Sequence, residues 1–100
     1  MPQRYHIVIQ PRASNDLIAI CEYIEQQSPQ NAASVAQEIL AAIDSLAIFP
    51  HRYKVHRSRR DLRLAVRSMP VRPFLVYYRV SESPPLVDVI AVVHGARQQS

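Results

Sequence analysis

One hundred residues with a net charge of +4, 48% hydrophobic and 20% charged, with one glycine and eight prolines, fit a single globular domain with a modest core. The lone cysteine, Cys21, excludes an internal disulfide and a cysteine-built zinc site, and points to a reducing, cytoplasmic setting. No apolar run reaches the ~20 residues of a membrane span, and the N-terminal one stops at Pro11, too early for a signal peptide.

In chain order, "YHIVIQ" (5–10) reads as a short strand with a β-branched centre, ended by Pro11. The period then changes. Leu17, Ile20, Cys21 and Ile24 recur at helical spacing, with Ser14 or Asn15 placed to cap the helix and Asp16, Glu22 and Glu25 on or near its wet side. Ser28 and Pro29 mark the start of a second helix, whose apolar stripe of Ala32, Val35, Ala36, Ile39, Ile43, Leu46 and Ala47 runs on until Pro50. So short a link makes the helices an antiparallel hairpin.

The next stretch, "HRYKVHRSRRDLRLAVR" (51–67), holds seven Arg or Lys against one acid, Asp61. Within it the period falls to two: Leu64, Val66 and Ser68 alternate with Arg63, Ala65, Arg67 and Met69. "PVRP" (70–73) predicts a turn, "FLVYYRV" (74–80) a strand, "SESPP" (81–85) a turn and "LVDVIAVV" (86–93) a last strand. Consecutive strands with such short links form an antiparallel meander. The expected architecture is α+β and two-layered, a helical hairpin packed on a small antiparallel sheet in the order β-α-α-β-β-β, as one domain over residues 1–100. The last two strands are apolar on both faces. A chain this short has no third layer to supply, so a partner protein is expected to cover part of the outer face.

Charge sharpens that expectation. Residues 1–50 hold two basic and five acidic side chains (net −3), and residues 51–100 hold ten and three (net +7). Such asymmetry favours a polyanionic or acidic partner. Candidate target contacts are Arg57, Arg59, Arg60, Arg63, Arg67, Arg72 and Arg97, although the run 52–60 also reads as a hydrated loop. Arg63 and Arg67 share one face of a strand and are the favoured pair. Tyr77 and Tyr78 must point to opposite faces, one into the core and one outward. His51 and His56 have no third ligand for a metal, and no glycine-rich loop exists to hold a nucleotide; neither metal nor cofactor is expected, nor a small-molecule substrate.

The whole arrangement resembles the RelE/ParE superfamily of bacterial toxins. Asp16-Leu17, Ile20 and Tyr23-Ile24 look like its first helix, and Ser28-Pro29 to Phe49-Pro50 like its second. Arg67, "FLVYYRV" with Tyr78-Arg79, and "VIAVVHGAR" with His94 and Arg97 look like its closing meander. The resemblance implies a toxin neutralised by a cognate antitoxin, with antitoxin contacts at Leu75, Tyr77, Arg63 and Arg67. It also implies one of two targets: DNA gyrase for the ParE-like branch, or the ribosome and its mRNA for the RelE-like nucleases. RelE-type chains carry an early arginine in the central strand and often a C-terminal tyrosine; here the strand position is Leu75 and "ARQQS" has no aromatic. The "HGAR" ending resembles ParE, which sets gyrase inhibition first and a metal-independent endoribonuclease, with His94, Arg67 and Arg97 as its candidate catalytic groups, second.

Overall fold

A computed structural model describes residues 4–56 and 65–95. Strand β1 (His6–Ile9) passes through Gln10 straight into helix α1 (Pro11–Gln27). The helix therefore starts three or four residues before the caps expected at Ser14 or Asn15. Pro11 explains the early start: it has no N–H to leave unpaired at the first helical position, and the Ser14 N–H already bonds to the Gln10 carbonyl at 3.0 Å. Ser28 alone separates α1 from α2 (Pro29–Ser45), its N–H closing α1 on Ile24 O at 2.6 Å and its carbonyl accepting from the Asn31 N–H at 3.0 Å. It occupies the expected N-cap, but through its backbone and not its hydroxyl.

After α2 come a turn, a short 3-10 helix (Pro50–Arg52), β2 (Val55–His56), β3 (Val66–Val71), β4 (Phe74–Glu82) and β5 (Pro85–His94). The sheet runs β1-β5-β4-β3-β2. It is antiparallel from β2 to β5, as the pattern predicts, while β1 adds a parallel edge, pairing Ile7 with Val87 and Ile9 with Val89. The turns are tighter than expected. Pro70 and Val71 belong to β3, and only Arg72 and Pro73 turn the chain. Pro70 is tolerated because β2 pairs only with Val66 and Arg67, so the strand edge beyond them needs no donor.

Both helices lie on one face. Met69, Val71, Phe74, Val76, Tyr78, Val87, Val89 and Val92 of the sheet meet Ala13, Ile39, Ile43 and Leu46 of the helical layer, with Leu17, Ile20 and Ile24 packed against them. Alternation sends Leu75, Tyr77 and Arg79 of β4, with Leu86, Asp88 and Val93 of β5, to the opposite face. The described residues place no helix there. Tyr77 and Tyr78 divide as expected, Tyr78 fully buried and Tyr77 half-buried on the open side.

One bulge breaks the parity. Tyr77 pairs with Ala91 and Tyr78 with Val89, which leaves Ile90 as an extra residue in β5. Val92 thus regains the helix side, and part of the two-sided apolar pattern in "LVDVIAVV" is this change of phase. The bulge also takes the Val92 N–H out of the ladder, and Asp16 Oδ2 of α1 accepts it at 3.0 Å. Asp16, expected near the wet side, is a half-buried tie between layers, with Arg12 3.7 Å from it across one helical turn.

Replacing Asp16 by Ala should cost about 1–3 kcal/mol, because the Val92 N–H loses a charged acceptor, and should speed hydrogen exchange at the Val92 amide. Glu22→Ala on the exposed side should stay within about 0.5 kcal/mol. Equal effects of the two changes would contradict the tie.

Candidate functional site

Helix α2 ends into a turn whose first residues, Leu46 and Ala47, are buried, as is Pro50 at the start of the 3-10 helix. Side chains from the sheet and from Tyr5 then hold the segment that follows. The Tyr78 hydroxyl donates to the Pro50 carbonyl at 2.7 Å in the core. Burial pushes the Tyr78 phenol up to about 12, against the opposing pull of the Arg67 charge. Arg67 Nη1 donates to the Tyr53 carbonyl at 2.7 Å. Glu82, at the end of β4, takes His51 Nε2 at 2.8 Å on one oxygen and the Tyr5 hydroxyl at 2.6 Å on the other. The Tyr5 bond is the main reason that the Glu82 carboxyl sits below its ordinary range, and it raises the Tyr5 phenol in return. The Tyr5 ring also stands edge-on to His51, 6.0 Å between centroids.

This clamp changes the reading of Arg67. The register pairs it with Tyr78, so it stands on the face the helices cover and not on the open one, and its guanidinium braces the segment 50–53. It is also remote from His94. His94 lies opposite Phe74, edge-on to that ring at 5.6 Å, and is exposed at the end of β5. Tyr78 and Phe74 are four positions apart on β4, about 13 Å along the strand, with β3 and β5 on either side of it. Arg67 and His94 are therefore not brought together.

Of the other expected residues, Arg72 is exposed in the β3–β4 turn, and Leu75 and Tyr77 are half-buried on the open face. Arg57, Arg59, Arg60, Arg63 and Arg97 lie outside the described residues. Gly95 closes the same end of the sheet: its N–H donates to Pro73 O at 2.7 Å, and a Cβ there would come within 3.1 Å of that oxygen.

Two features escape a reading of the sequence. On the open face Arg79 lies directly across from Asp88, 3.2 Å away, and the Gln10 amide also donates to Asp88. On the far side of the hairpin, Leu17, Ile18, Cys21, Ala36 and Leu40 line an open groove of about 250 Å³ edged by Glu22 and Glu25. Ile18 and Leu40, off the predicted stripes, were the available signal for the groove. The Arg79–Asp88 pair becomes visible only when the register is known.

Residues 7–99 match the family described as "ParE toxin of type II toxin-antitoxin system, parDE". The chain belongs to the ParE toxin family. Its relatives include Toxin RelE2 of Caulobacter vibrioides, 37% identical over 87 residues that cover 86% of this chain and 90% of that protein. Putative toxin Y4kP of Sinorhizobium fredii is 31% identical over 87 residues, covering 87% and 84%. The same fold recurs in the chromosomal ParDE system of P. aeruginosa, with a TM-score of 0.72 at 19% identity over 91% of this chain and 96% of that one. It recurs again in the RelBE2 toxin–antitoxin complex of Mycobacterium tuberculosis, with a TM-score of 0.64 at 22% identity over 91% and 98%. The ParE-family toxin is thus a helical hairpin on a mixed sheet.

The Tyr78 clamp has a pH signature. The phenol ionises near 12 in the fold and near 10 when the chain is unfolded, so its stabilisation is complete below pH 10 and is lost as pH rises towards 12. Urea titrations should show the wild-type ParE-family toxin weakening through that window. Tyr78→Phe should begin about 1–2 kcal/mol lower and weaken less. Parallel curves would mean that Tyr78 is not the titrating group.

Proposed function

We propose that this ParE-family chain poisons DNA gyrase by binding it as a protein, and that a cognate antitoxin silences it. The observation that carries this reading is the separation of Arg67 from His94. Cleavage of RNA at a 2′-hydroxyl requires a base, a cation at the phosphorane and an acid, all within hydrogen-bond reach of one reacting phosphate. Arg67 instead braces the Tyr53 carbonyl on the helix side of the sheet, a site distant from His94.

Inhibition by binding requires surface instead of convergent chemistry, and surface is what this chain offers. The open sheet face presents Leu75 and Tyr77, and its Arg79 and Asp88 neutralise each other. Arg72 stands exposed at its end. In this reading the antitoxin lies across Leu75 and Tyr77, and the exposed arginines contact the acidic side of the target. The protein acts in the cytoplasm; among the described residues no helix is long and apolar enough to cross a membrane.

Purified protein added to gyrase and relaxed plasmid should block supercoiling while leaving message intact in a translating extract. Co-expression of the cognate antitoxin should restore both supercoiling and growth. Message cleavage that disappears with His94→Ala, together with unimpaired gyrase, would overturn the proposal in favour of an endoribonuclease.

A further inference from the structure

Among the described residues six large hydrophobic side chains are exposed, and three of them, Ile48, Phe49 and Val55, fall within one eight-residue stretch. Phe49 is 62% exposed although Leu46 and Ala47, just before it, are almost fully buried. Leaving a phenylalanine in water forgoes about 1.5–3 kcal/mol of burial. A floppy loop would account for that, but this stretch is held from behind.

The Tyr5 N–H donates to Ala47 O at 2.7 Å and the Phe49 N–H to Ser45 O at 3.3 Å. Tyr78 holds the Pro50 carbonyl, Glu82 holds His51, and Arg67 holds the Tyr53 carbonyl. Val55 pairs with Arg67 and so lies on the sheet face against which this turn is clamped. The result is a fixed knuckle whose apolar side chains Ile48, Phe49 and Val55 stay exposed. Arg52 and Lys54 are exposed on the same stretch, Arg52 lying 5.4 Å over the Tyr53 ring, and no acid occurs from residue 45 to residue 60.

From this we infer that the knuckle formed by Ile48, Phe49, Arg52, Lys54 and Val55 docks an acidic segment of a partner protein whose aliphatic or aromatic side chains alternate with its carboxylates. The inference rests on the reading of the chain as a protein-binding toxin and names the surface and the partner chemistry. Charge selects the ligand's sign, because the exposed Arg52 and Lys54 lie between Phe49 and Val55 in the chain. The fixed backbone lowers the ordering cost of binding. Exposed aliphatic Ile48 and Val55 in the same stretch as Phe49 favour a peptide over a nucleic acid, whose bases would stack on the ring but whose phosphates would gain nothing from the two aliphatic chains. The hairpin groove is apolar too, but Glu22 and Glu25 at its edge repel the same ligand. The acidic segment is thereby directed to the knuckle.

The probes are three fluorescein-labelled ligands: a short peptide alternating Glu with Leu and Phe, the same peptide with Lys for Glu, and a single-stranded RNA of similar length. Fluorescence anisotropy with the full chain should show binding of the acidic peptide alone, weakened about tenfold or more by Phe49→Ser and by Lys54→Glu. Both positions are exposed, so circular dichroism and thermal midpoints should stay unchanged. Equal binding of the basic peptide, RNA binding lost in the same two variants, or acidic-peptide binding untouched by either would each overturn the inference. A parallel gyrase assay on the same proteins separates the two readings. Knuckle-dependent peptide binding without gyrase inhibition leaves the inference standing and sinks the gyrase target. Inhibition by wild type and both variants alike, with no peptide bound, does the reverse.

Discussion

A buried phenol holding one backbone carbonyl organises this molecule. Pro50 has no N–H of its own, and its carbonyl is turned into the core, where water cannot reach it. Tyr78, fully buried at the middle of β4, supplies the missing donor at 2.7 Å. That bond fixes where the chain leaves the helical layer and joins the sheet edge. Arg67 and Glu82 then hold the next residues in place. Without such ties the route from α2 to β2 would carry buried polar groups with no partner, at a cost of about 1–3 kcal/mol each.

The clamp has a chemical consequence. An arginine whose Nη1 is given to a carbonyl on the covered side of the sheet is poorly placed to serve a phosphate at the other end of the strand. Among the described residues, Arg67 and Arg79 are held by internal acceptors, whereas Arg52 and Lys54 face solvent along the clamped stretch. The open sheet face keeps aromatic and aliphatic surface, with Arg79 and Asp88 neutralising each other on it. Such a division of surface suits protein recognition.

Much of this fold can be read from spacing alone. The two helical stripes, the proline boundaries and the opposite faces of Tyr77 and Tyr78 all follow from local rules, since each depends on neighbours within a turn or a strand. What could not be read depends on register. The parallel pairing of β1 with β5 joins residues about 80 positions apart. The bulge at Ile90 is one residue of phase that alternation cannot reveal in a run as uniformly apolar as "LVDVIAVV". Asp16 looks like any surface acid of an amphipathic helix until the bulge frees the Val92 N–H beside it. Alternation alone places Arg67 on a strand, whereas its partner, a carbonyl fourteen residues earlier, sets its face and its work.

The central claim is that Tyr78 and Arg67 hold one and the same segment, and a double-mutant cycle tests it most directly. Stability would be measured by urea unfolding for wild type, Tyr78→Phe, Arg67→Met and the pair. If both clamp residues 50–53, loss of one leaves the other less to hold, and the double variant should be less destabilised than the sum of the single changes by about 0.5–2 kcal/mol. Strict additivity would show two unrelated contacts and contradict the account.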